Sequence, residues 1–211
     1  MHPNTKLLIQ MISLYSVWIP VLAAWWHKDQ LEKALRMLGL FLVWGFVIDI
    51  KYFYDFTQPI KPFLIALFSL SEVLFYLWFI RAITREMQLP TWRNPLMILA
   101  CVTWIVSYGN VFFFSQSEPQ FALHDVFSAI LFTFIASYAL LQMTKSEVPL
   151  NQRYEFWLLL GIFMYFMPSV FIFSFVTDIE LREKIWFLHC FFDMTKNAFF
   201  SMAVFVMARP R

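Results

Sequence analysis

Seven long apolar runs, separated by short polar connections, account for nearly the whole chain. They cover about Leu7–Trp26, Met37–Tyr54, Pro62–Ile80, Pro95–Ser115, Phe121–Met143, Phe156–Thr177 and Ile185–Ala208. Each run is about 20 residues long, enough to cross roughly 30 Å of hydrocarbon as a helix. The runs are continuously apolar, whereas the strands of a membrane barrel would alternate. The pattern therefore predicts an all-α integral membrane protein, a bundle of seven transmembrane helices in a single domain. Pro62 and Pro95 suit first helical turns. Pro20 falls inside span one, where a proline removes a backbone hydrogen bond and predicts a kink, and Pro168 lies near the middle of span six.

Composition agrees with that class. The chain is 61% hydrophobic and only 14% charged, against about 25% charged in soluble domains. A net charge of +2 is too small to suggest nucleic-acid binding. Both cysteines, Cys101 and Cys190, lie within spans and read as free buried thiols rather than a disulfide. Span one is too long for a signal-peptide core and no small-residue cleavage site follows it, so no cleaved leader is expected. No internal repeat stands out, which argues against an inverted-repeat transporter.

Charge sets the expected orientation. Lys28, Lys33, Arg36, Arg81, Arg85, Arg93, Lys145, Arg153, Arg209 and Arg211 fall on one side, ten in all. The other side holds Lys6, Lys61, Arg182 and Lys184, with Lys51 near the edge, five at most. The positive-inside rule then puts the N-terminus outside and the C-terminus in the cytoplasm of a bacterial inner membrane.

The spans carry polar groups at depth, which cost roughly 2.5–3.5 kcal/mol each for a charge on insertion scales and point to function by default. In span seven, His189, Asp193 and Lys196 are spaced i, i+4, i+7 with Asn197 beside them, making one stripe that must face the bundle. Asp193 and Lys196 are placed to form an ion pair. Glu72, at the middle of span three, has no basic partner on its own helix; it either meets Lys196 across the bundle or is protonated. Asp49 in span two, Tyr108 and Asn110 in span four, and His124 and Asp125 opening span five all fall in the outer half. Lys51 reads as a snorkelling side chain near Asp55. The distribution predicts a polar cavity that opens outward and ends near the midplane at Glu72 and Lys196.

Four functions are compatible with these residues. A receptor or sensor would bind a small ligand in the outer cavity and relay it by helix movement around Pro168, with a protein partner or a second copy carrying the output. A retinal-type chromophore protein would use Lys196 as the attachment point. A membrane-embedded enzyme would act on a lipid or isoprenoid at His189, Asp193 and Glu72. A structural subunit would use the charges to lock helix packing. No HExxH or HxxxH spacing, serine-nucleophile motif, phosphate loop or cysteine pair occurs, so no metal site is expected and the first reading leads.

Two resemblances bear on this. Seven helices with the N-terminus outside is the layout of rhodopsins and G-protein-coupled receptors. Asp193-Met-Thr-Lys196-Asn-Ala-Phe partly resembles helix seven of microbial rhodopsins, although there the Asp precedes the Lys by four residues, and Tyr165-Phe-Met-Pro168 resembles their helix six. The Leu-Phe-Ser-Leu-Ser-Glu72 run, the Phe156-Trp157-Leu-Leu-Leu-Gly161-Ile-Phe-Met-Tyr165-Phe run and His189 with polar residues at 193 and 197 also resemble a group of small seven-helix bacterial membrane proteins. That group tends to carry Asn at position 193 and no lysine at position 196. It brings no known activity, so the resemblance implies fold and topology alone.

Overall fold

A computed structural model describes residues 3–53, 61–84, 93–113, 121–175 and 179–209. The expected span ends at Tyr54, Ser115 and Thr177 lie outside them. The described residues are helical throughout apart from short turns, and no strand occurs among them. The elements are α1 (Pro3–Ser16), α2 (Trp18–Trp26), α3 (Lys33–Phe53), α4 (Lys61–Ile83), α5 (Arg93–Phe113), α6 (Phe121–Met143), α7 (Tyr154–Ser174) and α8 (Ile179–Met207). A single 3-10 turn, Leu150–Gln152, precedes α7.

The helices α1 and α2 form one rod interrupted at Val17. The cause is Pro20, which has no N–H to offer the Ser16 carbonyl and whose ring crowds it. Val17 keeps helical dihedrals (φ −59°, ψ −26°), so the interruption is a missing hydrogen bond rather than a turn of the chain. Thus the expected effect of Pro20 appears one turn before it. Pro168 leaves no break: α7 runs through it to Ser174.

Five helical stretches are long and apolar enough to cross a membrane: Thr5–Trp26, Phe63–Ile83, His124–Met143, Tyr154–Ser174 and Lys184–Met207. The α3 helix carries Lys33 and Arg36 at its start and Asp49 and Lys51 near its end. In α5 the described apolar stretch is Ile98–Gly109.

Sequential helices pack on one another, and α8 closes the bundle against α1 and α2. Cross-helix pairs show the directions. Trp44 meets Ser71 and Phe41 meets Phe75, so α3 and α4 are antiparallel. Ser13 meets Asp193 and His27 meets Phe205, so the first rod and the last run parallel. Aromatic packing fills the centre. Tyr76, Phe132 and Phe166, from α4, α6 and α7, form a triangle with ring centroids 5.4, 5.2 and 4.8 Å apart, at separations that suit offset and edge-to-face pairs. Small residues set two closer approaches. Ala129, Ala136 and Ala139 are fully buried on one face of α6. On α7, a Cβ at Gly161 would lie 3.0 Å from the Phe200 ring and 3.2 Å from Phe199 Cβ, so α7 and α8 meet as closely as they do because that position has no side chain.

Candidate functional site

The polar stripe of α8 faces inward, as its spacing predicts, because Phe200, Ala203 and Val204 on the same arc are buried. Lys196 Nζ lies 2.6 Å from Asp193 Oδ1. The same ammonium lies 4.0 Å from the centroid of the Tyr165 ring on α7, in cation–π range. The second oxygen of Asp193 accepts from the Ser13 hydroxyl at 3.1 Å. Asn197 Nδ2 donates to Ser16 Oγ at 2.8 Å. Ser13 and Ser16 are one turn apart on α1, so two turns of α8 are clasped to the first helix by side-chain hydrogen bonds. The sequence gives no hint of either serine, since neither is unusual in an apolar helix. His189 takes no part in the clasp. Its ring is packed among Trp186, Tyr165 and Phe173, with centroids at 4.7, 5.5 and 5.8 Å.

A second polar group joins α5 to α6. His124, fully buried, lies between Thr103 Oγ1, 3.2 Å from Nδ1, and Ser128 Oγ, 3.3 Å from Nε2. Thr103 already donates its hydroxyl hydrogen to the Ala100 carbonyl at 2.9 Å. A hydroxyl has only one hydrogen to give, so Thr103 accepts from Nδ1–H, and Nε2 accepts from the Ser128 hydroxyl. Next to it, the Tyr108 hydroxyl donates to Asp125 Oδ1 at 3.2 Å. Asn110 lies on α5, but its side chain is outside the described residues.

Glu72 lies between these groups. It is the midpoint of α4, which spans 23 residues. Ser69, Val73, Tyr76 and Phe79 around it are buried, while exposed Leu67, Leu74 and Trp78 fall on the opposite side at about 200–240° in a helical projection. Its carboxyl group is within electrostatic range of Lys196, Asp125 and Asp193. Among the described residues no hydrogen bond or ion pair engages the Glu72 carboxylate, the Tyr76 hydroxyl or the Tyr165 hydroxyl. Nor are they among the side-chain polar atoms sealed from water without a partner, which are Ser107 Oγ, His189 Nδ1 and Asn197 Oδ1. Asp49 shares the inner face of α3 with buried Leu38, Leu42 and Phe46, yet is itself exposed. It too is within electrostatic range of Asp193, Lys196 and Glu72.

Among the described residues no three His, Cys, Asp or Glu side chains converge as metal ligands. Lys196 has its contacts inside the bundle, and they satisfy a protonated amine without a covalent group. What the arrangement offers chemically is acceptor carboxylates, two tyrosine hydroxyls without partners among the described residues, and aromatic ring faces. No known protein family, curated protein or solved structure matches the chain.

Proposed function

We propose that the protein is a seven-helix integral membrane protein of the bacterial inner membrane, N-terminus outside, that binds a small ligand in an outward-opening cavity and acts as a receptor or sensor. The bundle's outer surface supports the membrane assignment. Leu22, Ile98, Phe134 and Phe171, on four different rods, are each more than 60% exposed in the isolated chain, an apolar surface that only lipid or other protein can cover. Exposed Trp25 and Trp26 end α2, with Lys28 Nζ 5.5 Å over the Trp25 ring, a pairing suited to a headgroup interface.

The observation that carries the binding reading is Glu72: a carboxylate at the midpoint of a helix, on its buried face, without a partner and not sealed. Interior polar groups are paired when their role is structural. A group held unpaired at such a depth is suited to a ligand. The cavity opens at Asp49, whose end of α3 is the outer end in the proposed orientation.

Cysteine accessibility tests this. In a chain with Cys101→Ser and Cys190→Ser, cysteine at positions 49 and 72 should react with a membrane-impermeant thiol reagent added outside intact cells or right-side-out vesicles. Cysteine at position 81 should react only in inverted vesicles. Labelling of position 72 from the cytoplasmic side alone, or from neither side, would overturn the outward cavity.

A further inference from the structure

The outer face of α3 carries charge at its start and apolar side chains beyond it. Lys33, Arg36, Met37, Leu40 and Val47 are exposed, and at 100° per residue they fall within an arc of about 100°. Leu35, Leu38, Leu42 and Phe46, on the opposite arc, are buried. From Arg36 to Val47 the helix rises about 17 Å, close to half of the roughly 30 Å hydrocarbon core. The strip is therefore one leaflet deep, with two cations at its end. Basic residues at this end follow from orientation alone; their lack of acidic partners does not. Among the described residues no ion pair or hydrogen bond engages the side chain of Lys33 or Arg36. Glu32 is the acid spaced to pair with Arg36, but its carboxylate accepts from the Tyr154 hydroxyl of α7 at 2.9 Å. Asp29 is exposed and pairs with none of the basic residues. The turn before α3 adds a third cation. Trp25 and Trp26, 72% and 84% exposed, end α2, and Lys28 Nζ lies 5.5 Å over the Trp25 ring. Neither indole N–H has an acceptor among the described residues. The turn itself is held in place, with Leu31 buried and the His27 ring packed on Phe205 at 6.0 Å. Three cations and two indole donors at the end of a leaflet-deep apolar strip match a molecule with an anionic head and an acyl chain. A free phosphate or an acidic peptide would use only the charged end.

We infer that this face binds an anionic phospholipid, its phosphate on Lys33 and Arg36 with Lys28 and the two indoles beside it, and an acyl chain along Met37, Leu40 and Val47. The Arg36 guanidinium supplies the forked donor pair that suits a phosphate, and the lysines supply point charges. The inference rests on the membrane assignment above and is independent of the small-ligand reading.

Native mass spectrometry of the whole purified protein, stripped of lipid in mild detergent, tests this. The probes are dioleoyl phosphatidylglycerol and dioleoyl phosphatidylcholine, which share their chains, with glycerol 1-phosphate as a soluble competitor. One phosphatidylglycerol per chain should be retained at a concentration about tenfold or more below that needed for phosphatidylcholine. Lys33→Gln with Arg36→Gln should abolish that preference, as loss of two charges worth about fivefold each implies. Both positions are exposed, so the double variant keeps the core, and its thermal midpoint should match that of the parent. Lys145→Gln is the comparison: this lysine is exposed too, but its ammonium donates to the Gln142 side chain at 2.9 Å, and its loss should leave the preference intact. Equal retention of the two lipids, or an unaltered preference in the double variant, would overturn the inference. An equal loss in Lys145→Gln would replace the site with diffuse surface charge. Displacement by glycerol 1-phosphate at the lipid's own concentration would show that the apolar strip contributes nothing, and would equally overturn it. None of these outcomes bears on the labelling of position 72, so the small-ligand reading stands or falls separately.

Discussion

Replacing Asp193 with Asn removes the carboxylate that holds Lys196 at 2.6 Å and leaves a cation that is 10% exposed without its partner. Removing one member of a buried ion pair costs about 3–5 kcal/mol, because the other charge stays desolvated. Two features reduce this. The Tyr165 face at 4.0 Å retains a cation–π contact, about 1–2 kcal/mol for a desolvated site, and Glu72 is within electrostatic range. The net expectation is a loss of about 2–4 kcal/mol. The reverse substitution, Lys196→Met, fills similar volume and leaves a carboxylate with better resources. Asp193 keeps the Ser13 hydroxyl and the Asn197 amide, and it is 24% exposed. That variant should lose only about 1–2 kcal/mol, near the value of the pair's hydrogen bonds. The double variant should be close to the Lys196→Met single and far from the sum, because the two side chains act as one unit. Unfolding in detergent or bicelles, by denaturing surfactant titration, gives all four corners of the cycle. Equal losses for the singles, a reversed order or an additive double variant would refute the claim that Asp193 exists in this site to neutralise Lys196.

Gly161→Ala should cost about 1–3 kcal/mol through overpacking, since its Cβ would come within 3.0 Å of the Phe200 ring; Phe200→Leu should recover part of the loss in the same unfolding assay. Thr103→Val removes the acceptor for His124 Nδ1–H and should cost about 1–3 kcal/mol for a buried unsatisfied donor, whereas Ser128→Ala should cost less, because an unmet Nε2 lone pair is the weaker penalty; equal effects, or a histidine nitrogen NMR spectrum showing the other tautomer, would contradict the assigned direction. Ser13→Ala with Ser16→Ala unclasps α1 from α8 and should speed amide hydrogen exchange across residues 3–16 while leaving α6 and α7 unchanged; unaltered exchange would mean that apolar packing alone holds α1.

Helix positions were legible because each apolar run of about 20 residues has the length and continuity of a helix able to cross a bilayer. The expected runs fall on helices among the described residues, five of them long and apolar enough to cross a membrane, and the inward stripe at 189, 193 and 196 follows from helical period alone. The parts that escaped were pairings between helices remote in sequence. Asp193 meets Ser13 across 180 positions and Asn197 meets Ser16 across 181. Nothing in either serine's neighbourhood distinguishes it from a serine bonded to its own helix, as Ser169 is to the Tyr165 carbonyl. His189 shows the converse. Its place in the stripe groups it with the polar residues, yet its ring lies among Trp186, Tyr165 and Phe173, because the turn of α8 that carries it faces aromatic rather than polar neighbours. Helical period fixes a direction, and the facing helix decides what is met there.

The interior charges therefore divide into two kinds with opposite expected signs for stability. Asp193 and Lys196 satisfy each other and join α8 to α1 and α7, so neutralising Asp193 should destabilise the fold. Glu72 has no partner to lose and sits on the buried face of α4. Neutralising it removes an unpartnered interior charge, and Glu72→Gln should leave the unliganded protein at least as stable as before. A residue whose removal is harmless to the fold, at a depth where its presence is costly, is retained for something other than packing. If Glu72→Gln instead costs as much as Asp193→Asn, then Glu72 is a third member of the ion-pair network, and the cavity's midplane floor is structural.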